Sequence, residues 1–111
     1  MDRMTEWDEN TFLKIEKDDI DLNTDGFVRR HHGRLIYIYY VENQSVVIIA
    51  GEISGVSRYD FLIDGAIKYI DRQYFPLTKT IEDIPLNKRR EIQKKLLKWL
   101  KDDRFRYKAY L

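Results

Sequence analysis

Cysteine is absent from the 111 residues of this chain, and proline and glycine are scarce, with two and five copies. Without cysteine the chain has no disulfide, no thiolate nucleophile and no cysteine-ligated zinc. A small domain without disulfides is typical of a reducing compartment, so we expect a cytoplasmic protein. Because no Pro/Gly-rich linker or internal repeat divides the chain, we expect a single domain over residues 1–111.

Long hydrophobic runs are also missing. The longest apolar stretches are LIYIYYV (35–41) and VVIIA (46–50), far short of the roughly 20 residues that a membrane-spanning helix needs. The N-terminal segment contains no apolar run of signal-peptide length. We therefore expect no association with a membrane.

The chain does contain enough apolar side chains for a core, with 43% hydrophobic and 14% aromatic residues. Charged residues make up 35%, and the net charge is only +1. The charge is unevenly spread: residues 1–25 hold nine acidic and three basic residues, whereas the remainder holds ten acidic and seventeen basic residues. Such asymmetry predicts two electrostatic faces, unless the two ends pair with each other in the fold.

A β-hairpin is the clearest structural signal. Residues 34–41 and 45–50 are rich in β-branched and aromatic side chains, with three polar residues between them, which is typical of two strands joined by a short loop. Since both faces of both strands are apolar, we expect the hairpin to lie centrally and to be covered on two sides. Further strands are predicted at 12–16, 58–64, 66–71 and 104–110.

A C-terminal helix is predicted from Asn87, as its N-cap, through residue 103. Its apolar stripe of Ile92, Leu96, Trp99 and Leu100 should cover one face of the sheet. Trp7 and Phe12 of the N-terminal segment should cover the other, and residues 73–85 should form an irregular crossover. The predicted fold is therefore α+β: an antiparallel β-meander of four to six strands packed against a C-terminal amphipathic helix, with a short terminal strand.

Catalytic patterns are not found. Neighbours on a strand point to opposite faces, so His31 and His32 are poorly placed to share one metal, and a solvated loop is the simpler interpretation. Asp60 and Asp64 share a predicted strand face with Arg58, which predicts an ion-paired outer surface. No phosphate-binding glycine loop is present. We expect a protein that is not an enzyme and uses no cofactor or metal, although a deep pocket with converging carboxylates or histidines would support an enzyme.

The C-terminal helix carries a row of cations at spacing i, i+4, i+8 and i+11, followed by two more in the tail. Such a row is suited to neutralising phosphates, and Phe105, Tyr107 and Tyr110 are suited to stacking on bases. The alternative is a solvated helix face, and the sequence pI of 7.9 is below a strongly basic footprint. The candidate nucleic-acid-binding residues are Arg90, Lys94, Lys98, Lys101, Arg104 and Arg106.

An acidic run near the N-terminus is the second candidate site. It consists of Asp18, Asp19, Asp21 and Asp25. These carboxylates resemble a phosphate array and would attract a basic partner in a fast, salt-sensitive association. The alternative is a solvated turn.

The order of features from Gly51 onward resembles a small family of bacterial immunity proteins from polymorphic toxin systems. The resemblance covers residues 45–105 and rests on Gly51-Glu52 at a strand end, then YDFLID (59–64), IKYID (67–71), a proline-containing loop and a terminal helix. Where the family has a tryptophan this chain has Ile70, and a single proline, Pro76, stands in place of a Pro-Pro pair.

The resemblance implies a cytoplasmic protein that neutralises one cognate toxin by tight non-covalent binding, with no catalytic residue of its own. If that toxin is a nuclease with a basic cleft, the acidic run would be the binding site. The alternative function is a nucleic-acid-binding module that uses the basic helix and tail.

Overall fold

A computed structural model describes residues 6–111, so Asp2 and Arg3 of the N-terminal charge count lie outside the described residues. Residues 6–111 form two α-helices, seven strands and one short 3-10 helix at Ile67–Tyr69, which confirms the α+β class. In chain order the other elements are α1 (Glu6–Lys17), β1 (Gly26–His32), β2 (Leu35–Glu42), β3 (Ser45–Ile53), β4 (Phe61–Asp64), β5 (Arg72–Phe75), β6 (Thr80–Asp83), α2 (Leu86–Asp102) and β7 (Tyr107–Tyr110).

The strands form one mixed sheet, in the order β1-β2-β3-β4-β7. β5 also pairs with β3, and β6 pairs with β5. The pairs are antiparallel except for β4 and β7, which are parallel. Seven strands exceed the expected four to six, because β1, β5 and β6 lie in segments where the sequence predicted turns and loops.

The predicted central hairpin is confirmed in β2 and β3. Glu42 pairs with Ser45, so the loop consists of Asn43 and Gln44 alone. Both have positive φ, 51° and 61°, as in the type I′ turn whose twist matches the twist of the flanking strands. Asparagine tolerates this conformation better than most residues do.

The two helices lie on opposite faces of the sheet. On one face, Phe12 and Ile15 of α1 form a buried cluster with Tyr39, Val41 and Tyr74. On the other face, Leu96 and Leu100 of α2 pack with alternate residues of the same strands, including Ile36, Ile38, Ile49 and Ile63. The hairpin is thus covered on two sides, as its apolar faces predicted.

The strand predicted at residues 12–16 is wrong, because this segment belongs to helix α1. The buried positions of α1 are Asp8, Thr11, Phe12 and Ile15, which follow the helical spacing i, i+3, i+4 and i+7. Two of these four residues, Asp8 and Thr11, are polar, so the apolar residues alone do not show the helical spacing. Within the short window 12–16 they show only the apolar–polar alternation of a strand. Phe12 covers the sheet as expected, but the Trp7 side chain is 61% exposed.

Three predictions for residues 58–85 are corrected. The strand expected at 58–64 is limited to β4. The strand expected at 66–71 is replaced by the 3-10 helix, in which the Tyr69 N–H donates to the Ala66 carbonyl at 2.9 Å. The expected crossover at 73–85 contains the antiparallel pair β5 and β6.

The bounds of the C-terminal elements also change. Helix α2 begins at Leu86 with Pro85 at its N-cap and no side-chain cap, so Asn87 does not have the expected role. Proline fits the start of a helix because its missing N–H would have no helical partner there. The terminal strand is confined to β7 and runs parallel to its neighbour β4.

Gly51, the glycine of the Gly51-Glu52 pair, is required by close packing between β3 and β4. A Cβ atom at this position would lie 2.7 Å from the Leu62 carbonyl oxygen and 2.7 Å from the Ile63 Cδ1 atom. Since Gly51 pairs with Ile63 across the two strands, its role is to let β4 approach β3.

Candidate functional site

Helix α1 covers only part of its face of the sheet, and the uncovered part forms two rows of side chains across four strands. Strand pairing aligns Leu35 with Glu52, Glu52 with Leu62, and Leu62 with Lys108. In the next row, Tyr37 pairs with Ala50 and Asp64 pairs with Tyr110. We call these eight residues the open face: Leu35, Tyr37, Ala50, Glu52, Leu62, Asp64, Lys108 and Tyr110.

Two aromatic side chains frame the open face, Trp7 from α1 and Tyr69 from the 3-10 helix. The groove between them has a volume of about 560 Å³. Its floor is formed by Tyr37, Ile48 and Ala50 of the sheet. The remaining lining residues are Trp7, Thr11, Lys14, Asp64, Tyr69, Asp71, Arg72 and Tyr74.

Contacts within the protein hold the walls of the groove. The Lys14 ammonium lies 4.1 Å from the centre of the Tyr37 ring. The Arg72 guanidinium lies 5.9 Å from the centre of the Trp7 ring and 3.2 Å from the Asp8 carboxylate. Burial, followed by the nearby Asp8 carboxylate, raises the pKa of the Tyr74 hydroxyl. Trp7, Lys14, Tyr37 and Arg72 therefore each contact another side chain of the protein at the wall of the groove.

The open face and its frame expose large apolar side chains. The exposed fractions are 61% for Trp7, 52% for Tyr69, 49% for Tyr110 and 48% for Leu35. Around them stand three cationic side chains (Lys14, Arg72 and Lys108) and three carboxylates (Glu52, Asp64 and Asp71). Aromatic residues within a rim of mixed charge are the composition of a protein–protein interface.

The acidic run is separated by the fold, because Asp18 turns inward. Its carboxylate accepts a short hydrogen bond from the Tyr39 hydroxyl and lies 2.8 Å from the His32 Nε2 atom. Its carbonyl oxygen accepts a hydrogen bond from Arg30 Nε at 2.9 Å. Burial and this carboxylate raise the pKa of Tyr39. With only 8% of its side chain exposed, Asp18 is part of the interior.

The other three acids remain exposed, and two of them hold loops. Asp21 accepts hydrogen bonds from the Asn23 N–H at 2.9 Å and the Thr24 hydroxyl at 2.7 Å, and these two bonds lower its pKa. Asp25 accepts a hydrogen bond from the Asn43 N–H at 3.2 Å. Asp19 has a positive φ of 52°. The four acids therefore do not form one binding surface.

The basic residues of α2 lie on the opposite side of the sheet from the open face. Within residues 6–111, the side chains of Arg90, Lys94, Lys98 and Lys101 make no hydrogen bond or ion pair, and all four are exposed. We call these four the basic row. The sequence prediction that they share one helix face is consistent with their exposure.

The tail does not extend the basic row. Arg106 pairs with Asp60, with 3.2 Å between Nη2 and Oδ1, and the Arg104 guanidinium lies 4.9 Å from the centre of the Phe105 ring. Phe105 and Tyr107, expected to stack on bases, instead pack against the α2 face of the sheet. Asp60 had been expected to pair with Arg58, and this pairing is wrong.

The Tyr107 hydroxyl belongs to a polar network with Arg29 and Asp103 at the end of α2. Arg29 Nη1 donates to this hydroxyl at 2.6 Å and to the Asp103 carboxylate at 2.5 Å. Burial opposes the ionisation of Asp103, but the hydrogen bonds from Tyr107 and Arg29 outweigh it and lower the pKa. The network fixes the end of α2 to strand β1.

The two histidines lie at the end of strand β1 and not in the expected loop. They contact different groups, as alternation along a strand predicts. His31 Nε2 accepts a hydrogen bond from Arg29 Nε at 3.0 Å, and His32 contacts Asp18. Burial, Arg29 and Arg104 lower the pKa of His31. In the described part of the chain, no three His, Asp or Glu side chains group as metal ligands would.

The sequence did not predict the open face, although part of its signal was present. The alternation in RYDFLID placed Leu62 and Asp64 on one strand face, and that in RFRYKAY placed Lys108 and Tyr110 on another. Joining these half-strands into one surface requires the parallel pairing of β4 with β7. It also requires the position of α1, which the sequence did not predict.

The chain was compared with protein-family models, with curated proteins and with solved structures, and none of the three comparisons found a match. The resemblance to immunity proteins therefore stays a prediction. Among the helices of residues 6–111, none combines the length and the apolarity that crossing a membrane requires.

Proposed function

We propose that this chain is an immunity-type protein of the cytoplasm, which neutralises a cognate protein toxin by binding it and covering its active site. The observation that carries the proposal is the open face, an exposed surface framed by the aromatic side chains of Trp7 and Tyr69. An inhibitor that acts by occlusion requires an exposed surface of this kind, and it requires no catalytic group.

The chemistry of the open face supports a protein as the partner. Tryptophan, tyrosine and arginine dominate the binding energy of most protein interfaces, and the groove is lined by Trp7, Tyr37, Tyr69 and Arg72. The equal numbers of cations and carboxylates around it give no strong field of one sign. A nucleic acid would be favoured by excess positive charge, whereas a protein matches a mixed rim with its own charges.

The exposed acids support association with a basic toxin without forming the contact itself. Asp25 precedes Gly26, which pairs with Val41, and six residues of strand β2 separate Val41 from Leu35, a distance of about 20 Å. Asp25 therefore lies away from Leu35 at the edge of the open face, and Asp19 lines a separate groove with Glu16 and Lys79. Their role in this proposal is to raise the association rate through long-range attraction.

The experiment is co-expression with the toxin encoded beside this gene, with cell growth and co-purification as readouts. The wild-type chain should restore growth and co-purify with the toxin. The variant Trp7→Ala/Tyr69→Ala should lose both, because two exposed anchors of about 2 kcal/mol each correspond to a loss of affinity of roughly 10³-fold.

The matched control is Leu13→Ala/Leu77→Ala, which truncates two equally exposed apolar side chains outside the groove. This variant should protect cells as the wild type does. If the wild-type chain neither binds the toxin nor restores growth, the immunity function is wrong. If it does both and the Trp7/Tyr69 variant is unimpaired, the assignment of the open face is wrong.

A further inference from the structure

Helix α2 carries two kinds of cation. Lys88, Lys95 and Arg89 are used inside the molecule: Lys88 Nζ lies 2.7 Å from Glu42, Lys95 Nζ lies 3.6 Å from Glu91, and Arg89 Nε donates to the Ile84 carbonyl at 2.7 Å. The basic row has no such partner within residues 6–111. Its four charges are therefore available to a ligand.

The basic row is straight and evenly spaced. Steps of four residues along a helix advance about 6 Å each, and the eleven residue steps from Arg90 to Lys101 span about 16 Å. Lys68 of the 3-10 helix extends the row, since it lines a second groove of about 670 Å³ together with Arg90 and Lys94. Like charges at this spacing repel each other, and a bound polyanion would relieve that repulsion.

We infer that the basic row and Lys68 form a binding surface for the phosphate backbone of duplex DNA. The surface goes beyond the proposed toxin-binding function, because it lies on the opposite side of the sheet and leaves the open face accessible. Lys68 lies beside Tyr69, with 5.0 Å between its Nζ atom and the centre of the Tyr69 ring, so the basic row itself, and not Lys68, is separate from the open face.

Two observations select the ligand. The apolar stripe of α2, Ile92, Leu96 and Leu100, is buried against the sheet, so the helix has no apolar face to insert into a lipid surface. Phe105 and Tyr107 pack inward, so the described chain offers no aromatic pair beside the row for stacking on single-stranded bases. Phosphate contacts remain, and these bind a duplex without regard to its sequence.

DNA is preferred over RNA for a geometric reason. The major groove of B-form DNA is wide enough to admit a helix, whereas that of A-form RNA is deep and narrow. An exposed helix face with a linear row of cations therefore fits a DNA duplex better.

The experiment is a fluorescence anisotropy titration of the full chain against a labelled DNA duplex of arbitrary sequence. Four to five phosphate contacts predict a slope of about −4 in a plot of log affinity against log salt concentration. Between about 50 and 200 mM salt the affinity should fall by roughly 10²-fold. A second duplex of unrelated sequence should bind equally well.

The test variant is R90Q/K94Q/K98Q/K101Q, which should lose binding at every salt concentration. The control, K17Q/R34Q/R58Q/K79Q, removes the same charge from exposed positions on other elements and should bind within about twofold of the wild type and with the same salt slope. Thermal unfolding of both variants verifies that they remain folded. Because the row is exposed, its loss should leave the fold intact.

Three results would overturn the inference. The first is undetectable binding of the wild-type chain to the duplex at low salt. The second is an equal loss in the test and control variants, which would indicate an effect of net charge alone. The third is binding of polyglutamate as tight as binding of the duplex, which would assign the surface to an acidic protein.

Discussion

The acidic run and the basic row look alike in the sequence, since each is a set of four like charges, but the fold treats them differently. Asp18 is buried in a hydrogen-bond network, and Asp21 and Asp25 accept hydrogen bonds from loop backbone. The basic row makes no such bond within residues 6–111. A run of charge becomes a candidate binding surface only where the fold leaves it without a structural task.

Backbone hydrogen bonding explains the roles of Asp21 and Asp25. Residues 18–25 connect α1 to β1 without regular structure, so their N–H groups need acceptors that helices and sheets would otherwise provide. Aspartate carboxylates supply such acceptors in turns. In helix α2 the backbone N–H and carbonyl groups bond to one another, so its outward side chains are not needed as hydrogen-bond partners for the backbone.

The largest effect should come from replacing the buried acid. Asp18→Asn removes the charge that accepts from Tyr39 and pairs with His32. The neutral amide also offers one acceptor oxygen where the carboxylate offers two. We expect a loss of about 2 kcal/mol in the free energy of unfolding, measured by urea denaturation at neutral pH.

Asp19→Asn is the matched control for that experiment. It makes the same chemical change one residue away, at an exposed position whose positive φ asparagine also tolerates. The expected change is within about 0.5 kcal/mol. Equal effects of the two substitutions would show that Asp18 is no more structural than its neighbour, and the comparison of the two charge runs would fail.

A second prediction divides the cations of α2 itself. Lys88→Ala removes the partner of Glu42, whose side chain is 18% exposed, and should cost about 1 kcal/mol. Lys94→Ala, in the basic row, should change the stability by less than about 0.5 kcal/mol. If Lys94→Ala costs as much as Lys88→Ala, the basic row has a structural role after all.

The pH dependence of the Lys88 effect provides an independent check. Burial opposes the ionisation of Glu42, but the hydrogen bond and charge of Lys88 outweigh it, so the pKa of Glu42 is below its usual 4.5. A lowered pKa contributes stability above pH 4.5, and this contribution is lost as the pH falls through the folded-state value. The stability difference between wild type and Lys88→Ala should therefore shrink as the pH is lowered below 4.5.

The sequence predicted the parts of the fold with long, regular periodicity. The hairpin of β2 and β3 and the helix α2 each extend over enough residues for one period to dominate. Helix α1 was missed because Asp8 and Thr11 occupy two of its four buried positions. Strands β5 and β6 have four residues each, which is too short for alternation to be distinguished from an irregular loop.

The candidate site could be predicted only in part, because the contacts that a side chain makes within the fold determine whether it remains free to bind a ligand. The four cations of the basic row were identified by helical spacing alone, since one helix places them. The sequence groups Arg106 with them, because its partner Asp60 lies 46 positions away and a contact over that distance has no signal in the local pattern. The open face combines β2, β3, β4 and β7, and its exposure depends on where α1 ends.

The smallest expected effect concerns His31, because its protonation would add a positive charge next to Arg29 and Arg104. Burial, Arg29 and Arg104 lower its pKa from the usual 6.5. The unfolded chain therefore binds more protons than the folded chain just below pH 6.5, so stability falls as the pH decreases through this range. The loss is complete once the pH is below the folded-state pKa of His31.

His31→Gln keeps a hydrogen-bond acceptor for Arg29 but cannot be protonated. Thermal unfolding of this variant and the wild type, followed from about pH 8 to pH 5, should show a smaller decrease in melting temperature for the variant. Parallel curves for the two proteins would mean that protonation of His31 meets no resistance from Arg29 and Arg104. In that case the charge of protonated His31 would cost no more in the folded protein than in the unfolded chain. The distinction between paired and free charges would then not apply to this histidine.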